Sequence, residues 1–466
     1  MDKKIVDFLN KLGCPVNEQA QAIIRECDAW YSGEIVKDFH ERLNINNVKI
    51  TLKTMNFAKR CCADDANLCE VVEVNASENE AQFEAINEIL AANRFDVMYR
   101  KQLEKMSACG TVGAYIRIDN AIQWDDGTLS GGDVCINYCD AENIYPLTVV
   151  NDEITECAFV GENITRGKKE SVLVIFTKDD GLNAYMAETH VFVDGKEDVN
   201  KQSIVALGEV RPFAIMKTAE VNNRKNMEGY GYPKVFSSIP VLQALDLSYN
   251  ILYGDLDKGE KIVFINELLS CVQTLEGIPM LTPQQKKLFV LLGEKLPDQD
   301  SVIKEYNPIL RIDEITKIFE TCLSLLSLSF GFGTKKYTFE NGQIKSATEY
   351  IGEKQDCLQE LNKQRNSAIE YIREIVRAIK WFSNTFNQAD FNIDEEINVE
   401  FDDSYITDRA SELERKRNDA LSFDIPMLKV WYLMDAYNLA EDEAKKLVFE
   451  SEDAAGMDAG GEENDS

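Results

Sequence analysis

Histidine is nearly missing from this chain: among 466 residues only His40 and His190 occur. So few imidazoles leave little for acid–base chemistry and make a Cys2His2 zinc site hard to assemble. The twelve cysteines contain no C-x2-C pair, and the pair formed by Cys135 and Cys139 has no second ligand pair to complete it. Scattered through apolar patterns, they read as buried, reduced thiols, which implies a reducing compartment. Basic residues are short as well, 50 Lys and Arg against 81 Asp and Glu, for a formal net charge of −31. Proteins that grip DNA do so mainly through Lys and Arg on phosphates, so tight, sequence-specific binding is not expected. An acidic wall can still surround DNA without holding it. Long apolar runs are lacking too. The longest uncharged run in its region, Thr321 to Thr334, falls short of the ~20 residues needed to cross a bilayer. The start, Met-Asp-Lys-Lys, has no apolar signal-peptide core. The chain reads as soluble and cytoplasmic, with no membrane partner.

Enzyme signatures are also missing. No Gly-x-Ser-x-Gly elbow occurs. Gly161 to Lys169 resembles a phosphate loop only superficially, because its glycines are too far apart and Lys169 stands where Ser or Thr must bind magnesium. Gly331-Phe332-Gly333 lacks the third glycine and the preceding strand of a dinucleotide site, and reads as a helix C-cap with a turn. The acidic pairs Asp125-Asp126, Asp179-Asp180 and Asp402-Asp403 are metal candidates, although solvated turns are the commoner meaning. No catalytic residue, metal ligand or cofactor is assigned, and the chain is not expected to be an enzyme.

What is present is an ordinary globular composition, 44% hydrophobic and 28% charged, long enough for two or three compact units. Helical spacing covers Glu18 to Tyr31, Met55 to Cys69, Ala81 to Leu90 and Phe95 to Ser107, with a strand at Val48 to Lys53. From Thr111 to about Lys217 short strand-like runs alternate with turn signals: 114–118, 133–138, 154–160, 171–176 and 213–217. The fold class is α+β with a mostly antiparallel sheet.

Helix returns from Val241 to Asp257, with Leu245, Ser248, Leu252 and Leu256 on one face and Asp246, Asn250, Tyr253 and Asp257 on another. A second amphipathic helix spans Asp313 to Phe330. Its apolar stripe is Ile315, Phe319, Cys322 and Leu326, and its polar one Asp313, Lys317, Glu320, Ser324 and Ser327. Between the two, a strand at Lys261 to Ile265 precedes an irregular stretch from Leu268 to about Asp300, so the whole reads as a hairpin arm with a small module at its tip. Ser346-Ala347-Thr348-Glu349 is a capping box opening a helix free of proline to Phe382, roughly 50–55 Å long. Val399-Glu400-Phe401 reads as a strand, helices follow between about Thr407 and Glu450, and the acidic tail is expected to be disordered. The polar stripes fit a solvent-exposed face or the lining of a channel, and spacing alone does not separate the two.

Several stretches, in order, resemble the portal proteins of tailed bacteriophages, in particular those of siphophages. They are Trp30-Tyr31-Ser32-Gly33 with Met55-Asn56-Phe57-Ala58-Lys59-Arg60; Asn143-Ile144-Tyr145-Pro146 with the acidic turn from Asn151 to Glu156; Gly231-Tyr232-Pro233-Lys234-Val235-Phe236 leading into a helix; and Pro308 through Glu349. Arg415 to Leu421 and the Leu439 to Ala444 segment resemble the family's crown. The chain departs from the family at Tyr350, where a β-branched aliphatic is usual, and by ending soon after the crown.

The resemblance implies a portal fold and a homo-oligomeric ring, dodecameric in virions. Residues 1–239 and 346–403 would form the α/β wing with its long backbone helix, 240–259 and 313–330 a two-helix stem, 260–312 a small α/β clip, and 404–450 a helical crown; 451–466 is the acidic tail. The loop 331–345 matches a tunnel loop, where Lys335, Lys336, Asn341 and Lys345 would meet double-stranded DNA passing without sequence specificity. Asp246, Asn250, Asp257, Lys317 and Glu320 are the candidates for a channel-lining stem, and burial of the long helix around Leu361 is expected to hold neighbours together. The implied place is the capsid vertex of a virion, assembled in the host cytoplasm. The implied partners are the terminase large subunit, a head–tail adaptor, and the major capsid and scaffold proteins. Two other readings stay open, a non-portal assembly or scaffold protein and a metal-dependent nuclease using the acidic pairs.

Overall fold

A computed structural model describes residues 3–43, 47–77, 79–123, 129–165, 168–179, 181, 183–193, 196–259, 262–266, 289–292, 303–307, 309–333, 336–337, 347–401, 409–422, 425–437, 439 and 443–448. Ser346 of the capping box, most of the segment 267–302, the pairs Asp125-Asp126 and Asp402-Asp403, and the acidic tail lie outside the described residues. The chain divides into two compact units, Met1–Val399 and Glu400–Ser466.

The larger unit is built on antiparallel sheets. Strand Thr111–Asp119 is central to one, with Phe213–Lys217 on one side and Asp133–Asp140 on the other. A longer meander runs through Ile144–Val150, Glu153–Thr165, Lys168–Asp179 and Ala184–Val193, each paired antiparallel with the next. Successive side chains of a strand point to opposite faces, so the unbroken apolar run Cys157-Ala158-Phe159-Val160 buries both. Phe159 packs with Tyr115, Phe176 and Phe213, ring centroids 5.3 to 5.5 Å from Tyr115 and Phe213. Ala158 and Val160 meet Ile5 and Leu9 of the helix Lys3–Lys11 on the other side.

Several expectations are corrected here. Ile144–Val150, absent from the expected strands, is a strand at the end of the sheet order. Pro146 is tolerated because an edge strand need not donate on both sides, and the register shifts beside it. Gly161, rejected above as part of a phosphate loop, lies in a strand opposite Val172, in the pairing of Glu153–Thr165 with Lys168–Asp179. Phe289–Leu292, expected to be irregular, is a strand parallel to Ile262–Asn266, which also pairs antiparallel with Ile303–Tyr306. The helix expected from Val241 begins at Lys234 and carries Pro240 inside. Proline there removes one backbone bond from an exposed position, while the first turn is fixed by its lysine.

Lys234 is fully buried. Its ammonium donates to Asp65 Oδ1 at 2.9 Å and lies 3.0 Å from Glu360 Oε1. Burial alone would lower its pKa, but Asp65 and then Glu360 reverse that and hold it above the usual lysine range. Three helices meet in this contact: Phe57–Ala66, Lys234–Lys258 and Ala347–Asn387.

The last of these has 41 residues, about 61 Å at 1.5 Å each, and continues past the expected end at Phe382. Leu361, Ala368, Ile372, Ile375, Val376 and Ile379 are buried along it. Leu361 therefore belongs to the subunit's own core, which corrects its expected place between neighbours. The buried Lys380 donates to Glu395 and to the Asn392 carbonyl at 3.0 and 3.1 Å. Strand Asn398–Phe401 is present. In the smaller unit, helix Arg409–Ser422 packs on Pro426–Tyr437, and the latter with the helical residues 443–448 closes around Val430, Ala444 and Val448.

Replacing Lys234 by Met strands two buried carboxylates, and should destabilise the larger unit by about 3–5 kcal/mol in urea unfolding. Because the folded-state pKa is raised, this contribution is complete below the unfolded-state value of about 10.4 and fades only above it. Wild-type stability should therefore show no inflection from this lysine between pH 6 and 9. The thiols of Cys61 and Cys69 are pushed up to about 12, chiefly by burial. Both should resist iodoacetamide at pH 8 in the native protein and react after unfolding, as peptide mass mapping would read directly.

Candidate functional site: an exposed helix pair and the base of the following loop

Helices Lys234–Lys258 and Ile312–Ser329 pack antiparallel. Arg311, just before the second, grips Asp255 near the end of the first with a two-pronged contact, Nε to Oδ2 at 3.0 Å and Nη2 to Oδ1 at 2.9 Å. At the other end Ser238 and Ser329 share a hydrogen bond of 2.8 Å. A fork of this kind fixes orientation as well as distance.

Ile315, Phe319, Cys322, Leu323 and Leu326 are buried on the second helix, as the apolar stripe predicts. The rest of its surface is divided. Asp313 and Lys317 are exposed, with Glu320 and Ser324 half-buried, on one side. Ser327, expected with them, is buried. On the other side Ile318, Leu325 and Leu328 are exposed by 47%, 49% and 54%. They recur after seven and three residues, the spacing of a seam for another helix or strand, and lie roughly 120° around from the buried face. The polar strip and the apolar strip are thus separate surfaces of one helix.

On the first helix the expected channel face is corrected. Asp246 is buried; its Oδ2 faces His40 Nε2 at 3.1 Å and its Oδ1 accepts from the Met55 amide at 2.8 Å. Asn250 both accepts from and donates to the Lys53 backbone, at 2.8 and 2.7 Å, and the Lys53 ammonium sits 3.2 Å from the Tyr253 ring centre. These positions, i, i+4 and i+7 on one face, hold His40, Lys53 and Met55 of the same subunit. Asp257, one turn beyond, is exposed. Of the five proposed stem residues, Asp257, Lys317 and Glu320 therefore keep a route to solvent, whereas Asp246 has none.

The loop after the second helix is anchored at its base. Phe330 and Phe332 are buried, and Gly331 adopts φ +79° with its missing Cβ position 2.9 Å from Glu360 Cγ. Only glycine fits a left-handed turn this close to a side chain. Tyr337 donates to Asp64 Oδ2 at 2.9 Å and packs edge-on against Phe57 at 5.2 Å. Burial first, then the neighbouring Cys61 and Asp64, drives its phenol well above the ordinary range. The Lys336 ammonium lies 5.7 Å from the Phe332 ring centre. Lys335, Asn341 and Lys345 lie outside the described residues.

Sequence spacing missed the Lys234 contact, because nothing in the pattern says that a lysine at a helix start is buried. It also missed the apolar strip, although Ile318, Leu325 and Leu328 were legible as a heptad seam beside the core stripe. A polar cleft of about 520 Å³ includes Lys59, Lys101 and Lys105 in its walls, but sets Glu104, Asp140 and Glu162 against them. Among the described residues no group of three His, Cys, Asp or Glu is placed to hold a metal ion.

Replacing Asp246 by Ala leaves His40 and the Met55 amide without their partner. The expected result is a loss of about 2–3 kcal/mol and faster cleavage within residues 41–55, read by limited proteolysis with mass mapping of the first cut.

No protein-family model matches the chain, and no curated protein matches it. Among solved structures it is similar to a chain described as "Neck of native GTA particle computed with C12 symmetry". The two are 10% identical, with a TM-score of 0.39, over 84% of this chain and 88% of that one.

Proposed function

We propose that this chain is the subunit of a portal-type ring at a virion vertex, through which double-stranded DNA is packaged and ejected. The observation that carries the reading is the divided surface of the Ile312–Ser329 helix. One side is fitted to water and the other to protein. A ring of copies satisfies both: the apolar strip turns to a neighbour and the strip of Asp313, Lys317 and Glu320, with Asp257, turns to an aqueous bore. Burying what remains exposed of Ile318, Leu325 and Leu328 is worth roughly 1 kcal/mol each, and the gain recurs at every junction of a closed ring.

Net acidity suits a conduit. A wall of like charge keeps duplex DNA from sticking, while Lys335, Lys336 and Lys345 give brief, salt-dependent contacts. Rotary or translational work would come from a separate terminase ATPase, with the residues 260–312 as its docking module and an adaptor joining on the tail side. In this reading the chain catalyses nothing itself.

Electron microscopy of the purified protein tests the ring: closed particles with a hole of about 20 Å or more, the width of duplex DNA, are expected, and compact single subunits under all conditions would sink the reading. Replacing Ile318 and Leu325 together by Asp should convert rings to free subunits in light scattering while circular dichroism stays unchanged, since both side chains are exposed in the subunit. Replacing Lys335, Lys336 and Lys345 together by Ala should leave rings intact and lower the yield of packaged DNA; normal yield would remove these lysines from the mechanism.

A further inference from the structure

The smaller unit, Glu400–Ser466, leaves more large apolar side chains exposed than it buries. Among its described residues the buried apolar ones are Ala420, Val430, Ala444 and Val448. Leu421, Ile425, Met427, Trp431, Tyr437 and Leu447 are exposed. A unit of this size rarely closes a sufficient core alone and is commonly completed by another surface. Large apolar side chains gathered outside a small unit mark where that surface docks.

Part of that exposure is concave. Helices Arg409–Ser422 and Pro426–Tyr437 leave a groove of about 240 Å³ between them, walled by Leu428, Trp431, Tyr432 and Met434. A cavity of about 150 Å³ already admits a benzene-sized group, so a leucine side chain has room here. Trp431 is 54% exposed, and tryptophan is among the residues that most often anchor protein contacts. Lys416, Asp419 and Asp435 complete the lining. Lys416 pairs with Asp435, whereas Asp419 has no partner among the described residues.

Another side of the same helix carries a matching knob. Arg417 and Leu421 stand four residues apart and so share a face. Both are exposed, Leu421 by 68%. Arg417, too, has no partner among the described residues. At about 100° per residue, this face lies roughly 150° around the helix from the one carrying Lys416 and Asp419. One side of the unit thus offers an apolar knob with a spare cation, and the other an apolar groove with a spare anion.

We infer that, in the ring proposed above, Leu421 of one copy seats beside Trp431 in the groove of the next copy's smaller unit, with Arg417 toward its Asp419. This rests on the ring reading. Leu421 does not fill the groove of its own unit, because the two face nearly opposite ways. Unlike patches joined head to tail make a heterologous contact, the kind that closes a ring when the rotation suits it. Each junction then supplies apolar cover that the small unit lacks by itself.

The test uses the full chain with a benzoylphenylalanine photo-crosslinker in place of Leu421, assembled with an excess of isotope-labelled wild type. Cross-links from the unlabelled peptide to labelled peptides within 425–437 are expected. In intact rings any other pattern overturns the inference and leaves the ring reading standing: cross-links confined to one copy, to residues before 400, to another virion protein, or to nothing. Absence of closed rings in the wild type would overturn both. A double-mutant cycle gives a second measure. Arg417→Gln and Asp419→Asn should each weaken assembly about two- to fivefold per contact, and the double variant should lose no more than either alone. Additive losses would overturn the pairing.

Discussion

Three helices far apart in sequence are joined by one buried ammonium. Lys234 stands at the start of the Lys234–Lys258 helix, Asp65 near the end of Phe57–Ala66, and Glu360 in the long helix Ala347–Asn387. A buried charge tolerates no vacancy, because a missing partner leaves the other desolvated and unpaired. The contact is therefore all or nothing, and it fixes the start of the Lys234–Lys258 helix against the other two. Gly331 rests on the same Glu360, and Asp64, beside Asp65, holds Tyr337.

The same device recurs in weaker forms. His40 and Asp246 join the segment before strand Glu41–Leu43 to the exposed helix. Lys380 joins the long helix to the turn that follows it through Glu395. His190, buried between Glu188 and Glu197 at 2.9 and 2.7 Å, ties the outer strand to its neighbour beneath Phe8. Apolar packing supplies most of the stability in such a unit, but it is non-directional. These polar joints give the angles between elements, and a surface helix can serve as an interface only if its angle is fixed.

Elements with a strong period were legible in the sequence. The Ile312–Ser329 helix lies within one residue of its expected span, and Phe213–Lys217 within none. Strand Ala184–Val193 was not, because Glu188 and His190 break its apolar pattern to make a polar joint. Ile144–Val150 was hidden by Pro146, whose meaning depends on whether the strand lies at an edge. For the candidate site the division was similar. Lys317 and Asp257 are exposed, as their place on a polar stripe predicts. Asp246 is buried and Asn250 is half-buried against the Lys53 backbone, since a polar helix face looks the same in sequence whether it meets water or another segment's backbone. Burial of polar residues is a tertiary fact, and one chain's periodicity does not contain it.

Fastening Tyr337 to Asp64 has a consequence for reach. Between Tyr337 and the start of the long helix at Ala347 there are ten peptide links, a contour of roughly 35 Å when fully extended. A span that must go out and come back has half of that, so no atom of its backbone extends more than about 17 Å from the line between its two moorings. Without the tyrosine the leash would begin at Phe332, five residues earlier, and could extend about half as far again. One phenol thus sets how deeply this part of the chain can intrude into whatever space it borders.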